Sequence, residues 1–172
     1  MRHVCCPVPM FHIFGEIAGV MNINIPGYSA AFPAILPDTL ETMRTVHEEK
    51  STCLFGPPII FRDILAHPRR KEFDMSSLLF GILGAAPVNP QLIDQLEREI
   101  PIKMISQGYG QTENAASLAM SVYAGDDKKR RHLSVGKAVP RMEMKIADSQ
   151  GKILPIGEEG EICARGFNIM KG

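Results

Sequence analysis

The run Ser106-Gln107-Gly108-Tyr109-Gly110-Gln111-Thr112-Glu113-Asn114 gathers the side chains that a nucleotide site needs into one turn after a predicted strand. Gly108 and Gly110 can adopt backbone angles closed to other residues and let a ligand approach the main chain. Tyr109 offers a flat face for a base. Thr112 brings a hydroxyl and a nearby N–H for a phosphate, and Glu113 brings a carboxylate that, with phosphate oxygens, completes a magnesium site. A Gly-Tyr-Gly sequence is equally an ordinary strand exit, so the elements around it have to decide.

Those elements alternate between strand and helix patterns. Val4 to Val8 reads as a short buried strand closed by Pro9, and Met10 to Asn24 is apolar enough for a largely buried helix. His12, within Pro9-Met10-Phe11-His12, opens that helix; a lone histidine there is more often a core residue than a catalyst. Tyr28 to Ile35 is a second strand. Asp38 and Glu41 form a capping box for a helix with Leu40, Met43 and Val46 on one face. Ser51 to Phe55 is a third strand, Gly56-Pro57-Pro58 starts a helix ending near Pro68, and His67-Pro68-Arg69-Arg70-Lys71 is a basic surface loop.

Leu78 to Leu83 is continuously apolar, as in a strand covered on both faces. It runs into Gly84-Ala85-Ala86-Pro87, whose small residues leave the backbone accessible at a strand's carboxyl end, where open α/β sheets bind ligands. Asn89 and Pro90 open a helix with a core stripe of Leu92, Ile93, Leu96 and Ile100. Ile102 to Ile105 is the strand that delivers Tyr109. Beyond it the pattern turns to strands alone: Ser117 to Tyr123, an exposed charged loop from Asp126 to His132, then Met142 to Ile146, the turn Ser149-Gln150-Gly151, and Glu161 to Arg165. The expected fold is α/β, a parallel sheet with flanking helices followed by an antiparallel β region.

Composition narrows the function classes. The 172 residues are 45% hydrophobic with no long apolar run, about one domain's worth of chain without a membrane-spanning segment. Lys+Arg and Asp+Glu each total 19, so no net charge draws the chain to nucleic acid or acidic lipid. The basic run beginning at Lys128 is preceded by Asp126 and Asp127 and reads as solvated. Cys5, Cys6, Cys53 and Cys163 have neither metal-ligand nor C-x-x-C spacing and are expected to be buried thiols in a reducing compartment. The amino end carries no secretory or transit-peptide pattern, and both ends are expected to be cuts through a longer protein. No G-x-G-x-x-G follows the first strand, which disfavours a dinucleotide-dependent dehydrogenase.

Taken together, Pro9-Met10-Phe11-His12, Gly84-Ala85-Ala86-Pro87, Gln107 to Glu113, Ser134-Val135-Gly136-Lys137-Ala138-Val139-Pro140 and Gly160-Glu161-Ile162-Cys163-Ala164-Arg165-Gly166 resemble the AMP-forming adenylate enzymes, which include the acyl-CoA synthetases. Thr112-Glu113-Asn114 and its surroundings look most like the mitochondrial medium-chain acyl-CoA ligases. The resemblance implies activation of a fatty acid with ATP to an acyl-adenylate and pyrophosphate, then transfer to coenzyme A. By the same resemblance, Tyr109 and the loop Gly84, Ala85, Ala86, Pro87 would sandwich adenine, with main-chain groups at Gln107 and Gly108 along its polar edge and Gly110 beside them. Thr112 would hold the α-phosphate, Glu113 would help hold Mg2+, and His12 would orient the carboxylate. Asn114, Ala115 and Ala116 would shape the acyl pocket with Phe11, Ile13, Phe14 and Met21 opposite, leaving aromatic acids open as well.

The resemblance divides the chain into an acyl- and adenine-binding part over 1–124 and a β-rich segment of the same large domain over 125–172. It puts the family's phosphate loop before Met1, and its ribose-binding aspartate and adenylation lysine beyond Gly172, so the isolated chain is expected to be inactive. A mitochondrial location follows from the resemblance alone. The runner-up reading is a non-catalytic protein that retains an adenine- and acyl-binding site.

Overall fold

The computed structural model describes residues 2–25, 27–124 and 127–171; Met1, Gly172 and Asp126, the first residue of the expected charged loop, lie outside the described residues. Four helices, α2 (Thr39–Glu49), α3 (Pro58–Ala66), α4 (Pro90–Glu99) and α5 (Lys128–Leu133), pack in sequence order against one another. They accompany a seven-stranded sheet, and a separate two-stranded sheet pairs β8 (Met142–Ala147) with β9 (Glu161–Gly166).

The first five strands, β1 (Arg2–Cys5), β2 (Tyr28–Ala31), β3 (Cys53–Gly56), β4 (Phe80–Leu83) and β5 (Met104–Tyr109), are mutually parallel. β6 (Ala119–Met120) and β7 (Lys137–Ala138) continue the sheet antiparallel. The expected class, a parallel α/β sheet followed by an antiparallel region, is the one observed. The chain winds outward from β1 in both directions, with β2 on one side and β3, β4 and β5 on the other. That reversal is the switch point beside which open α/β sheets leave a crevice at their strands' carboxyl ends.

Apolar spacing explains most of the core. Met43 and Val46 of α2, Phe61 and Ile64 of α3, and Ile93 and Leu96 of α4 are wholly buried, against Leu54 of β3, Leu83 of β4 and Ile105 of β5. Asp38 caps α2 by accepting the Glu41 N–H at 2.9 Å, but only half of the expected capping box forms, because the Glu41 carboxylate pairs with Arg44 at 2.7 Å. Asn89 accepts the Gln91 N–H at 3.0 Å and Pro90 fills the first turn of α4, as its sequence implies.

Three expected elements change form. Met10 to Asn24 is not one helix: a single α-turn, α1 (Ile13–Gly15), passes into a π-turn over Glu16–Val20 and a 3-10 turn over Met21–Asn24. A Cβ on Gly15 would overlap the carbonyl of Pro9, and Gly19 lies against the Cys6 sulfur and the Phe32 ring, so close packing against the segments that leave β1 and β2 dictates the path. Ser117 to Tyr123 contributes only the two-residue β6 before a 3-10 turn over Ser121–Ala124.

The third change is the expected charged loop, which contains helix α5. Asp127 caps it by accepting the Arg130 N–H at 3.2 Å, and its His132 is buried rather than solvated. His132 Nδ1 lies 3.2 Å from Asp94 and Nε2 3.3 Å from Glu97, both on α4. This is the sole grouping of potential metal ligands among the described residues. Each ring nitrogen already faces its own carboxylate, so the arrangement is a polar clamp holding α5 to α4.

Cys5 and Cys6 are fully buried and Cys53 partly so. Burial pushes the Cys6 thiol up to about 11 and that of Cys53 up to about 12, and it raises Cys5 further with the help of its two neighbouring thiols. Since a raised thiol pKa suppresses the reactive thiolate below that pKa, these three cysteines should resist alkylation by iodoacetamide at pH 8 until denaturant is added. Mass spectrometry showing rapid modification of Cys5 or Cys53 in native buffer would contradict this packing.

Candidate active site

The crevice is built where β4 and β5 end. β5 runs four residues past the expected strand, so Gln107, Gly108 and Tyr109 are strand residues and not part of a turn. Gly108 and Gly110 have no positive φ; the residues in the left-handed region near the site are Ala85 (φ 64°), Ala115 (φ 51°) and Ala116 (φ 65°). Gly110 is required for close approach instead. A Cβ there would overlap the Ala116 carbonyl and stand 2.7 Å from the Ser117 nitrogen. At Gly108 the nearest atom to an added methyl would be the Leu83 oxygen at 4.0 Å, so its open side faces space rather than protein.

That space is two adjoining cavities that share Ala85, Gly108 and Gly110. The first, about 420 Å³, is lined by apolar Ile13, Phe14, Ile17, Ala18, Ile82 and Met120 and by polar His12, Gln111, Thr112 and Ser117. The second, about 390 Å³, is bounded by Ala86, Pro87 and Val88 on one loop, Gln107 and Tyr109 on β5, and Val135. Volumes in this range suit a small ligand with an apolar part and a few oriented polar contacts.

Each residue singled out from the sequence can be located against these cavities. Gly84 lines the first, Ala86 and Pro87 the second, and Ala85, Gly108 and Gly110 both. His12 and Thr112 line the first cavity. His12 Nδ1 accepts the Phe14 N–H at 3.1 Å, capping α1, which leaves Nε2 as the ring nitrogen outside that cap. Glu113 is exposed on the 3-10 turn over Thr112–Asn114, next to but not lining the cavity, and its main-chain oxygen accepts the Met170 N–H at 2.8 Å.

Other candidates lie elsewhere. Phe11 is 84% exposed and Met21 52% exposed, and neither lines a cavity, because the broken helix turns Phe14 and Ile17 inward in their stead. Phe14 stacks at 5.3 Å on Phe55. Asn114 is buried as a structural cap, accepting the Gln111 N–H at 2.8 Å, and Ala115 is outside the lining while Ala116 is within it. Gln107 bounds the second cavity, yet its side-chain amide donates to the carbonyls of Arg131 and His132, both at 2.9 Å, and its N–H donates to Ser121 Oγ at 2.8 Å.

Ile17, Ala18, Ile82, Met120 and Val135 escaped the sequence reading. Ile17 was signalled by its spacing from Ile13, and Ile82 by alternation along β4. Met120 and Val135 come to the site through antiparallel pairing that no local pattern announces.

The profile of the family described as AMP-binding enzyme matches residues 2–172. The chain belongs to the AMP-binding enzyme family. It is 37% identical over 169 residues to the acyl-CoA ligase sidI of Aspergillus fumigatus, covering 98% of this chain and 28% of that protein. It is 32% identical over 168 residues to the mitochondrial medium-chain acyl-CoA ligase ACSF2 of Danio rerio, covering 97% and 28%. The chain therefore spans less than a third of the length of these curated relatives. Among solved structures, the anthranilate CoA ligase AuaEII bound to anthranoyl-AMP superposes with a TM-score of 0.86 at 22% identity, covering 98% of this chain and 32% of that one, a likeness of fold. The amide bond synthetase McbA of Marinactinospora thermotolerans superposes with a TM-score of 0.80 at 29% identity, covering 99% and 33%.

The close approach at Gly110 yields a direct check. Gly110→Ala should lower stability by about 2 kcal/mol or more, the cost of forcing a methyl into a filled site, read from a chemical denaturation midpoint. An unchanged midpoint would mean that the Ala116 carbonyl does not lie against Gly110.

Proposed function

We propose that this chain forms the acid- and nucleotide-binding centre of an acyl-CoA synthetase, acting as part of a longer protein, and that its two joined cavities hold the halves of an acyl-adenylate. The observation that carries the reading is the junction at Gly108. On one side lies a largely apolar cavity lined by His12 and Thr112 among others, on the other a second cavity bounded by Tyr109 and the Ala86-Pro87 loop. A fatty acid of medium length fits the first as substrate, supported by the ACSF2 relatives, and adenine fits the second. A mitochondrial location is proposed on those relatives alone.

In the first half-reaction a carboxylate oxygen attacks the α-phosphorus of ATP and the bond to pyrophosphate breaks; in the second the thiol sulfur of coenzyme A attacks the acyl carbon and AMP leaves. His12, through Nε2, orients the carboxylate. The Thr112 hydroxyl donates to an α-phosphate oxygen, where charge gathers as the phosphorus becomes five-coordinate, and such preorganised donors supply much of the rate in phosphoryl chemistry. The exposed carboxylate of Glu113, next in sequence to Thr112, is an oxygen donor of the kind a hard cation takes. Glu113 would share a Mg2+ with the nucleotide phosphates, whose charge the cation offsets when bound. Ala86, Pro87 and Tyr109 hold the base, and Phe14, Ile17 and Ile82 exclude water from the acyl chain.

The longer protein should catalyse acid-dependent exchange of labelled pyrophosphate into ATP, and the isolated chain should not. Glu113→Gln in the longer protein should lower that turnover by about a hundredfold while leaving the KM for the acid near its parent value, the signature of an interaction made mainly in the transition state. No exchange with any medium-chain acid would refute the reading, and an unchanged turnover would remove Glu113 from its metal role.

A further inference from the structure

The turn that carries Thr112 and Glu113 ends in two successive non-glycine residues in the left-handed region, Ala115 and Ala116. Each such residue carries a steric penalty of about 1–2 kcal/mol and persists only when its surroundings over-determine it. Part of that determination is local. The Ala115 N–H donates to the Thr112 carbonyl at 3.2 Å, the Ala116 N–H to Gln111 at 2.9 Å, and the Ser117 N–H to Asn114 at 3.3 Å.

The rest comes from far along the chain. The carbonyls that bracket the strained pair, those of Asn114 and Ser117, both accept from the single amide nitrogen of Asn168, each at 2.9 Å. Two residues later the Met170 N–H donates to the Glu113 carbonyl at 2.8 Å. The segment following β9 thus grips three carbonyls of the turn.

We infer that Asn168 is a positioning residue of the adenylate site, holding the Ala115-Ala116 pair from both flanks and so setting the Thr112–Glu113 turn and the cavity wall at Ala116 and Ser117. The inference rests on the function proposed above for that site. Its chemistry is specific to the residue type. A carboxamide nitrogen carries two N–H donors, enough for two carbonyls at once, whereas aspartate of the same shape has none at neutral pH and serine has one. The two acceptors also fix which end of the amide faces the turn. Asn168 touches neither cavity, so it contributes no ligand contact of its own. Loosening the clamp would move Thr112 and Glu113 relative to His12 without deleting any of them, and small misplacements of reacting groups are costly in rate. The bland alternative is that Asn168 merely stabilises the β8–β9 sheet, as does the Phe167 ring, which lies 5.1 Å from the Arg141 guanidinium just beyond the Met142–Gly166 pair of that sheet.

The test uses the longer protein, with Asn168→Ala, Asn168→Asp and Asn168→Ser, and Phe167→Ala as the control for loss of β8–β9 sheet stability alone. Acid-dependent pyrophosphate exchange should fall about tenfold or more in turnover for the Ala and Asp variants and by an intermediate factor for Ser. The KM values for acid and ATP should stay within about twofold, and Phe167→Ala should retain parent turnover. Hydrogen exchange at the amides of Ala115, Ala116 and Ser117 should quicken in the Asn168 variants alone. Parent-like turnover in Asn168→Asp, or a loss matched by Phe167→Ala with the same drop in melting temperature, would overturn the inference. If Asn168→Ala does not fold, the near-isosteric Asp and the smaller Ser decide it. Should the parent protein catalyse no exchange, the proposed function fails, and the amide exchange rates still judge the clamp by itself.

Discussion

β5 is the strand on which the rest of the structure depends, because it takes a parallel partner on one edge and an antiparallel partner on the other. A parallel partner can arrive by a long crossover, whereas an antiparallel neighbour that follows directly in sequence has to return through a tight reversal. The chain must therefore turn back immediately after Tyr109. The 3-10 turn over Thr112–Asn114 and the left-handed Ala115 and Ala116 accomplish that reversal, and Gly110 leaves room for the Ala116 carbonyl. The buried hydroxyls of Ser106 and Ser121 lie 3.2 Å apart and accept the Val122 and Gln107 N–H groups, fastening the returning strand where ladder pairing ends. Candidate phosphate and metal groups sit on the turn because the turn is where the sheet changes sense.

The same constraint explains which parts of the molecule could be read from sequence. Helix α4 was legible in full, since Asn89, Pro90 and the stripe of Leu92, Ile93 and Leu96 all carry local signals that agree. β5 was legible only as far as Ile105. Its continuation through Gln107, Gly108 and Tyr109 is polar and glycine-containing, and it is strand only because Leu83 and Met120 pair with it from either side. Neither glycine uses the backbone freedom for which it was singled out, and at Gly110 the sequence shows that a side chain is lacking but not that Ala116 will need the space. Helix α5 was missed because its basic run looks solvated, while the partners that bury His132, Asp94 and Glu97, lie on another helix.

Residue type and residue role separate most clearly at Gln107 and Asn114. Both belong to the run that marks the family, and both side chains are spent on holding the protein together, Gln107 on the carbonyls of α5 and Asn114 on the Gln111 N–H. What faces the cavities is mostly small or apolar, Gly108, Ala85, Ala86, Ala116 and Ile82, with His12 and Thr112 as polar points. The polar residues of the run shape the backbone, and the shaped backbone makes the site. A family pattern can thus be strong evidence for membership while several of its side chains serve the fold.

The central claim is that the two cavities meeting at Gly108 receive the two halves of one acyl-adenylate. A crystal structure of the longer protein with a non-hydrolysable medium-chain acyl-sulfamoyl adenosine tests it most directly. Adenine should lie between Tyr109 and the Ala86-Pro87 loop, the sulfamoyl group at Thr112, and the acyl chain against Phe14, Ile17 and Ile82. An analogue bound outside these cavities, or bound with its acyl chain beside Tyr109, would contradict it.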